Sequence, residues 1–326
     1  MLAVLLLLAR AAAAQMYSSG IGKTTHLVSD AAGTLDWMLT HLDATHDTGG
    51  LECTSLPGSE YDQVYCACGQ AGRVKMRCPG CQDGPSTLSL WGFGLHAISY
   101  NSSAPHSQRP TPRPVGPVGI AAVESRVTQK LEAAAKAGGY DALLDLNTGF
   151  WVADLDPYIL LFAKSGARTL PLEWADRANN RRYYSLLVQA ASSYVLLEFM
   201  SARQTLLPAE GRYVAPLPRF LFKAGEAPDD VFPPLNATDP RGLPVPRPAR
   251  ISQFTSNRTR DARFYSQAFG RDVSGVIRGG RGVSALVLSF ADMSVAPNYL
   301  QLHLVQRPRG DARQKLESAA QQSHPL

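Results

Sequence analysis

One pattern recurs three times along the chain, and it constrains the fold more than any other feature: a short β-like run, a helix, then further strands. The first copy opens on Thr24-Thr25-His26-Leu27-Val28, continues into a helix with Leu35, Met38, Leu39 and Leu42 at 3–4 spacing, and closes on Leu95-His96-Ala97-Ile98. Asp30 is placed to cap that helix. The second opens on Gly149-Phe150-Trp151-Val152. Its helix, which Asp156 is expected to cap and Pro157 to start, stops near Gly166, and the copy closes on Leu197-Glu198-Phe199. The third opens on Ile251-Ser252-Gln253-Phe254, carries the helix Arg260 to Phe269 before Gly270, and closes on Leu302-His303-Leu304. The spans Phe150 to Glu198 and Gln253 to His303 are nearly equal. His26 to His96 is longer by about the length of a cysteine-rich insert.

Pro-rich stretches separate the copies, and proline's fixed φ and missing donor keep such stretches out of central strands and long helices. The expected organisation is a leader at 1–14, a first βαβββ module with its Cys-rich insert at 15–104, and a Pro-rich linker with a connecting helix at 105–147. A second module at 148–203, a Pro-rich linker at 204–249, a third module at 250–310 and a tail at 311–326 complete it. The fold class is α+β, with βαβββ modules pairing into cupped mixed sheets.

The apolar run Met1 to Leu8, followed by small residues to Ala14, reads as a secretory signal peptide cleaved before Gln15. It is too short to span a membrane. Three sequons, at Asn101, Asn236 and Asn257, fit a glycoprotein of the secretory lumen or exterior. All five cysteines, Cys53, Cys66, Cys68, Cys78 and Cys81, cluster in the first module. In an exported chain they read as local disulfides, with a zinc knuckle of the last four as the rival assignment and no partner fixed for Cys53. With 32 basic against 27 acidic residues and no run of like charge, nucleic acid is not expected as a partner. Gly20-Ile21-Gly22-Lys23-Thr24 imitates a phosphate loop but has Tyr17 where the first glycine belongs. The Arg278-Gly279-Gly280-Arg281 turn reads as a hairpin connection.

The strand, helix with Arg263-Phe264-Tyr265 and Phe269-Gly270, and three following strands resemble the vicinal-oxygen-chelate superfamily of glyoxalases, extradiol dioxygenases and bleomycin-resistance proteins. The resemblance covers residues 22–202 and 250–308. It implies two modules pairing into one cup, with metal ligands on the first and closing strands of each. Carried over by position, the first-strand sites are His26, Phe150 and Gln253, and the closing-strand sites are His96, Glu198 and His303. If the first two copies pair, the set is His26, His96 and Glu198, suited to Fe, Mn or Zn as a divalent metal. If the last two pair, Glu198, Gln253 and His303 remain. The resemblance thus implies either a metal-dependent lyase, isomerase or dioxygenase acting on a small substrate with vicinal oxygens, or a metal-free module that binds a small molecule or a protein. The module left over stands alone or finds its mate in a homodimer.

Overall fold

The computed structural model describes residues 23–42, 45–46, 61–66, 75–76, 88–90, 93–100, 117–206, 212–232, 238, 242–270, 272–278, 283–292 and 298–306. The leader, Cys53, Cys68, Cys78, Cys81, Asn101 and Asn236 lie outside them. No helix among the described residues is long and apolar enough to cross a membrane.

The second and third copies share one curled, mixed sheet. The second comprises β7 (Asn147–Trp151), helix α3 (Asp156–Ser165), β8 (Thr169–Asp176), β9 (Arg181–Gln189) and β10 (Leu196–Ser201). The third comprises β11 (Arg247–Phe254), α5 (Arg258–Phe269), β12 (Val273–Arg278), β13 (Ser284–Asp292) and β14 (Asn298–Gln306). Strand order is β12-β13-β14-β11-β7-β10-β9-β8, so the two opening strands meet antiparallel at the centre. Each closing strand runs parallel beside its own opening strand. β7 and β10 are buried along their whole length, as strands covered on both faces must be.

One face of the sheet is covered by helices. Tyr158 and Phe162, one turn apart on α3, lie 4.9 and 5.2 Å from Phe199 of β10, which itself stacks on Phe150 of β7. α3 ends where Gly166 takes φ 65°, a left-handed cap that glycine adopts without strain. Asp156 is not its cap: its carboxylate turns back and accepts the N–H groups of Thr205 and Leu206 at 3.0 Å, tying the helix start to the chain after β10. α5 buries Ala262 and Tyr265 and is capped by exposed Asn257, whose side chain accepts the N–H of Arg260 at 3.0 Å.

The first copy forms a sheet of its own. β1 (Lys23–Leu27) pairs parallel with β6 (Phe93–Tyr100), whose other edge is shared by β3 (Tyr61–Cys66) and β5 (Leu88–Leu90). Two-residue strands β2 (Thr45–His46) and β4 (Lys75–Met76) flank these. Asp30 caps α1 (Ala31–Leu42) by accepting the N–H of Gly33 at 2.9 Å. The connecting helix α2 (Pro117–Ala137) buries Ile120, Val123, Val127, Leu131 and Ala134, a stripe at helical spacing. Its Glu124 accepts the Ser29 N–H at 2.9 Å, and Val28, Met38 and Leu42 join the core that α2 and the large sheet share.

The segment after β10 does not stay outside. Val214 bridges to Leu172 on edge strand β8, and residues 217–222 then run through the concave face of the large sheet. A short helix, α4 (Pro228–Val231), follows before β11.

Candidate functional site

Register decides which side chains look into the concavity. In a pleated sheet, neighbours in register share a face, and a slip of one residue exchanges the faces. Glu198 is in register with Gly149, and Gly149 with Arg250. His303 is in register with Ser252 and Gln301 with Arg250. Phe150 and Gln253 therefore face the helices, where Phe150 stacks on Phe199 and Gln253 donates to Tyr265 Oη at 3.0 Å. The first copy repeats the shift: His96 is in register with Thr25, and His26 with Ala97. Sequence alignment had set the opening-strand position one residue late in all three copies. The positions opposite each closing strand are Thr25, Gly149 and Ser252.

The pairing also differs from the arrangement that would assemble His26, His96 and Glu198. The second and third copies make the shared sheet, so Glu198 and His26 stand on strands of different sheets, and the His96 side chain lies outside what the structure describes. His26 instead lies against the large sheet's core, its ring 5.9 Å from Tyr194 and its Nε2 3.1 Å from Thr24 Oγ1. Among the described residues, no three of His, Cys, Asp and Glu come together in a way that could hold a metal ion.

What surrounds Glu198 is a cage of charge. The carboxylate is fully buried. Its Oε1 accepts Arg219 Nε at 2.9 Å and Ser185 Oγ at 2.7 Å, and its Oε2 accepts Arg250 Nη2. Arg219 goes on to donate to Asp145 and to the hydroxyl of Tyr140, and Arg250 to Asn147 Oδ1. Tyr140 completes a ring by donating to Asp145 at 3.3 Å, and the Arg219 guanidinium lies 5.3 Å from the Tyr140 ring centre. Asp145, Arg219 and Arg250 are each at most 1% exposed. Two carboxylates and two guanidinium groups thus balance where removing any one would strand a buried charge.

Titration follows from that balance. Burial alone would lower the Arg219 pKa, but Glu198, Tyr140 and Asp145 outweigh it and raise it. Arg250, with fewer acceptors, is pulled down by burial to about 10 and stays protonated at neutral pH. His303 is buried beside this cage and bonds Gln301 Oε1 at 3.1 Å. Burial, then the charges of Arg250 and Arg219, push its pKa well below the ordinary value of 6.5, so the imidazole is neutral.

Arg219 arrives on the strap 217–222, whose neighbours fix its depth. Phe220 and Phe222 enter an aromatic cluster with Trp151, Trp174, Tyr183 and Phe232, in which Trp174 and Tyr183 are 4.6 Å apart and Trp151 stacks on Phe232 at 5.2 Å. Leu221 exchanges hydrogen bonds with the Gln301 side chain through its N–H and C=O. The concavity is filled by the protein's own chain. Beneath the strap, among Asp145, Arg250 and His303, a void of about 10 Å³ remains.

A divalent ion does not fit these residues. Glu198 has already spent both oxygens on cations, and a metal between it and His303 would face two guanidinium groups at close range. Gly149 and Ser252 offer no strong ligand, and a side chain at Gly149 would have to push its neighbours aside. A Cβ there would come within 2.5 Å of Met200 Cε and 3.1 Å of Arg250 Cβ.

The sequence singled out Glu198 and His303 as metal-ligand positions, His303 only if the last two copies pair, and did not single out Arg219, Arg250, Asp145 or Tyr140. A signal for Arg219 was present: Leu217-Pro-Arg-Phe-Leu-Phe222 is an apolar run inside a Pro-rich linker, and such a run needs a core to enter.

No protein-family model matches the chain, and no curated protein matches its sequence. Solved structures do. Glyoxalase I from Zea mays aligns over 87% of this chain and 66% of its own, at 10% identity and a TM-score of 0.40. A variant of 4-hydroxymandelate synthase from Streptomyces coelicolor aligns over 93% and 98%, at 10% identity and 0.32. Methylmalonyl-CoA epimerase from Mycobacterium tuberculosis aligns over 50% and 86%, at 16% identity and 0.29. All three neighbours belong to the vicinal-oxygen-chelate superfamily that the sequence resembles.

Proposed function

We propose that this protein is a metal-free binding module built on the paired βαβββ plan, with its cup converted into a sealed structural core. The observation that carries this reading is the double capture of Glu198 by Arg219 and Arg250 at the place where a metal-dependent cup would seat its cation. The guanidinium groups supply the positive charge a divalent ion would otherwise bring, and they are fixed to the sheet and the strap. The filled concavity supports placing ligand recognition outside the cup, on surfaces where the chain leaves open space.

Elemental analysis of the full chain, purified without chelator and again after incubation with Mn, Fe and Zn salts followed by desalting, tests this. Well below one equivalent of any of the three should remain. One tightly held equivalent that disappears in Glu198→Gln would restore the metal-enzyme reading.

A further inference from the structure

Outside the cup, one open cleft of about 350 Å³ lies where α1, the end of α3 and the turn between β9 and β10 meet. That volume is in the range of small-molecule sites. Trp37, Gly166, Arg168, Gln189, Ala191 and Ser192 line it. We propose that this cleft binds a small planar organic anion, an aromatic carboxylate in chemical class, with Trp37 as its apolar wall and Arg168 as the anion partner.

The wall is rigid where the ligand would touch it. The Trp37 indole is parallel to Phe162 within 4°, with ring centres 6.5 Å apart, and His41 packs on it at 5.0 Å. Arg168 is anchored through its carbonyl, which accepts the Gln189 N–H at 3.0 Å. Gln189, buried, fixes the floor by donating to Thr128 Oγ1 at 2.8 Å and to the Ser193 carbonyl at 2.7 Å. The guanidinium end is free to exchange partners. Among the described residues it pairs with Glu132, at 3.4 Å, with the two side chains 44% and 58% exposed. Exposed pairs of this kind contribute little, so a carboxylate seated in the cleft can replace Glu132 with a better aligned fork.

Backbone strain marks the same place. Ala191 holds φ 52°, a left-handed conformation that an alanine adopts at a cost. Strained residues of this kind gather at ligand clamps, where the surrounding structure holds them in place. Here the turn is held by Ala190 N–H to Val195 C=O at 2.9 Å and Ser193 N–H to Ala190 C=O at 3.2 Å. Ser192, the next residue, lies on the cleft wall.

This inference rests on the metal-free reading for its placement outside the cup, and its test separates the two. The probe is 2-naphthoate, titrated calorimetrically into the full chain, with neutral 2-naphthamide as the isosteric control. Saturable one-site binding of the carboxylate is expected, with the amide weaker by about tenfold or more, the scale of one charge-assisted contact. Arg168→Met should weaken 2-naphthoate by about tenfold and leave the amide unchanged, whereas Trp37→Ala should weaken both. Arg263→Met, an exposed cation on α5, is the control that should change neither. No binding of 2-naphthoate to the folded chain, or equal binding by the Arg168 variant, overturns the proposal while leaving the metal-free reading intact. A stoichiometric metal in the same preparation overturns that reading whatever the naphthoate does.

Discussion

Glu198 shows how its neighbours decide what a buried carboxylate on a closing strand can do. A carboxylate on a closing strand can ligate a metal only if its oxygens are free and its other neighbours are neutral. Here they are held by two guanidinium groups and a hydroxyl. His303, on the matching strand of the third copy, is drawn into the same logic. Its pKa is lowered by burial first and by Arg250 and Arg219 next, so the folded protein keeps it neutral. The unfolded chain takes that proton near pH 6.5. As pH falls below about 6.5, the unfolded state therefore gains a proton that the folded state does not, and stability drops by up to about 1.4 kcal/mol per pH unit. Denaturant titrations between pH 7 and pH 5 should show this slope, and His303→Gln should flatten it. An unchanged slope in the variant would mean that His303 is not the residue responsible.

At the scale of elements, the repeated strand-helix-strand plan was legible because its determinants are local. Apolar spacing, Pro157 near a helix start, and Gly166 and Gly270 at helix ends all act within a few residues. Register was not legible. It depends on how β7, β10 and β11 meet, including the irregularity between Pro248 and Arg250, and nothing within a single strand states it. That is why Phe150 and Gln253 were assigned inward and prove to face the helices. The strap was missed for a related reason: prolines excluded regular structure in that linker but said nothing of burial. Gly149 tests the packing that results. Its missing side chain leaves room for Met200 and Arg250, so Gly149→Ala should overpack the centre of the cup and cost about 1–3 kcal/mol by equilibrium unfolding. A neutral outcome would show that the cage has slack.

Across the whole molecule, the third copy did not need a second chain for its mate. It pairs with the second, and the first is docked beside them through α2, whose buried Glu124 takes hydrogen bonds from Ser29 while Trp37 stacks over Phe162. The charge balance of 32 against 27 says little about this, because the four charges that organise the centre cancel and are invisible in composition. The central claim is that the cup is closed by ion pairs between the sheet and its strap. A double-mutant cycle on Glu198→Gln and Arg219→Met, measured by equilibrium unfolding, tests it most directly. Each single change strands a buried charge and should cost about 3–5 kcal/mol. The double variant should cost less than the sum of the two by at least about 1 kcal/mol, since one loss relieves the other. Additive losses, or a Glu198→Gln protein as stable as the parent, would contradict the account.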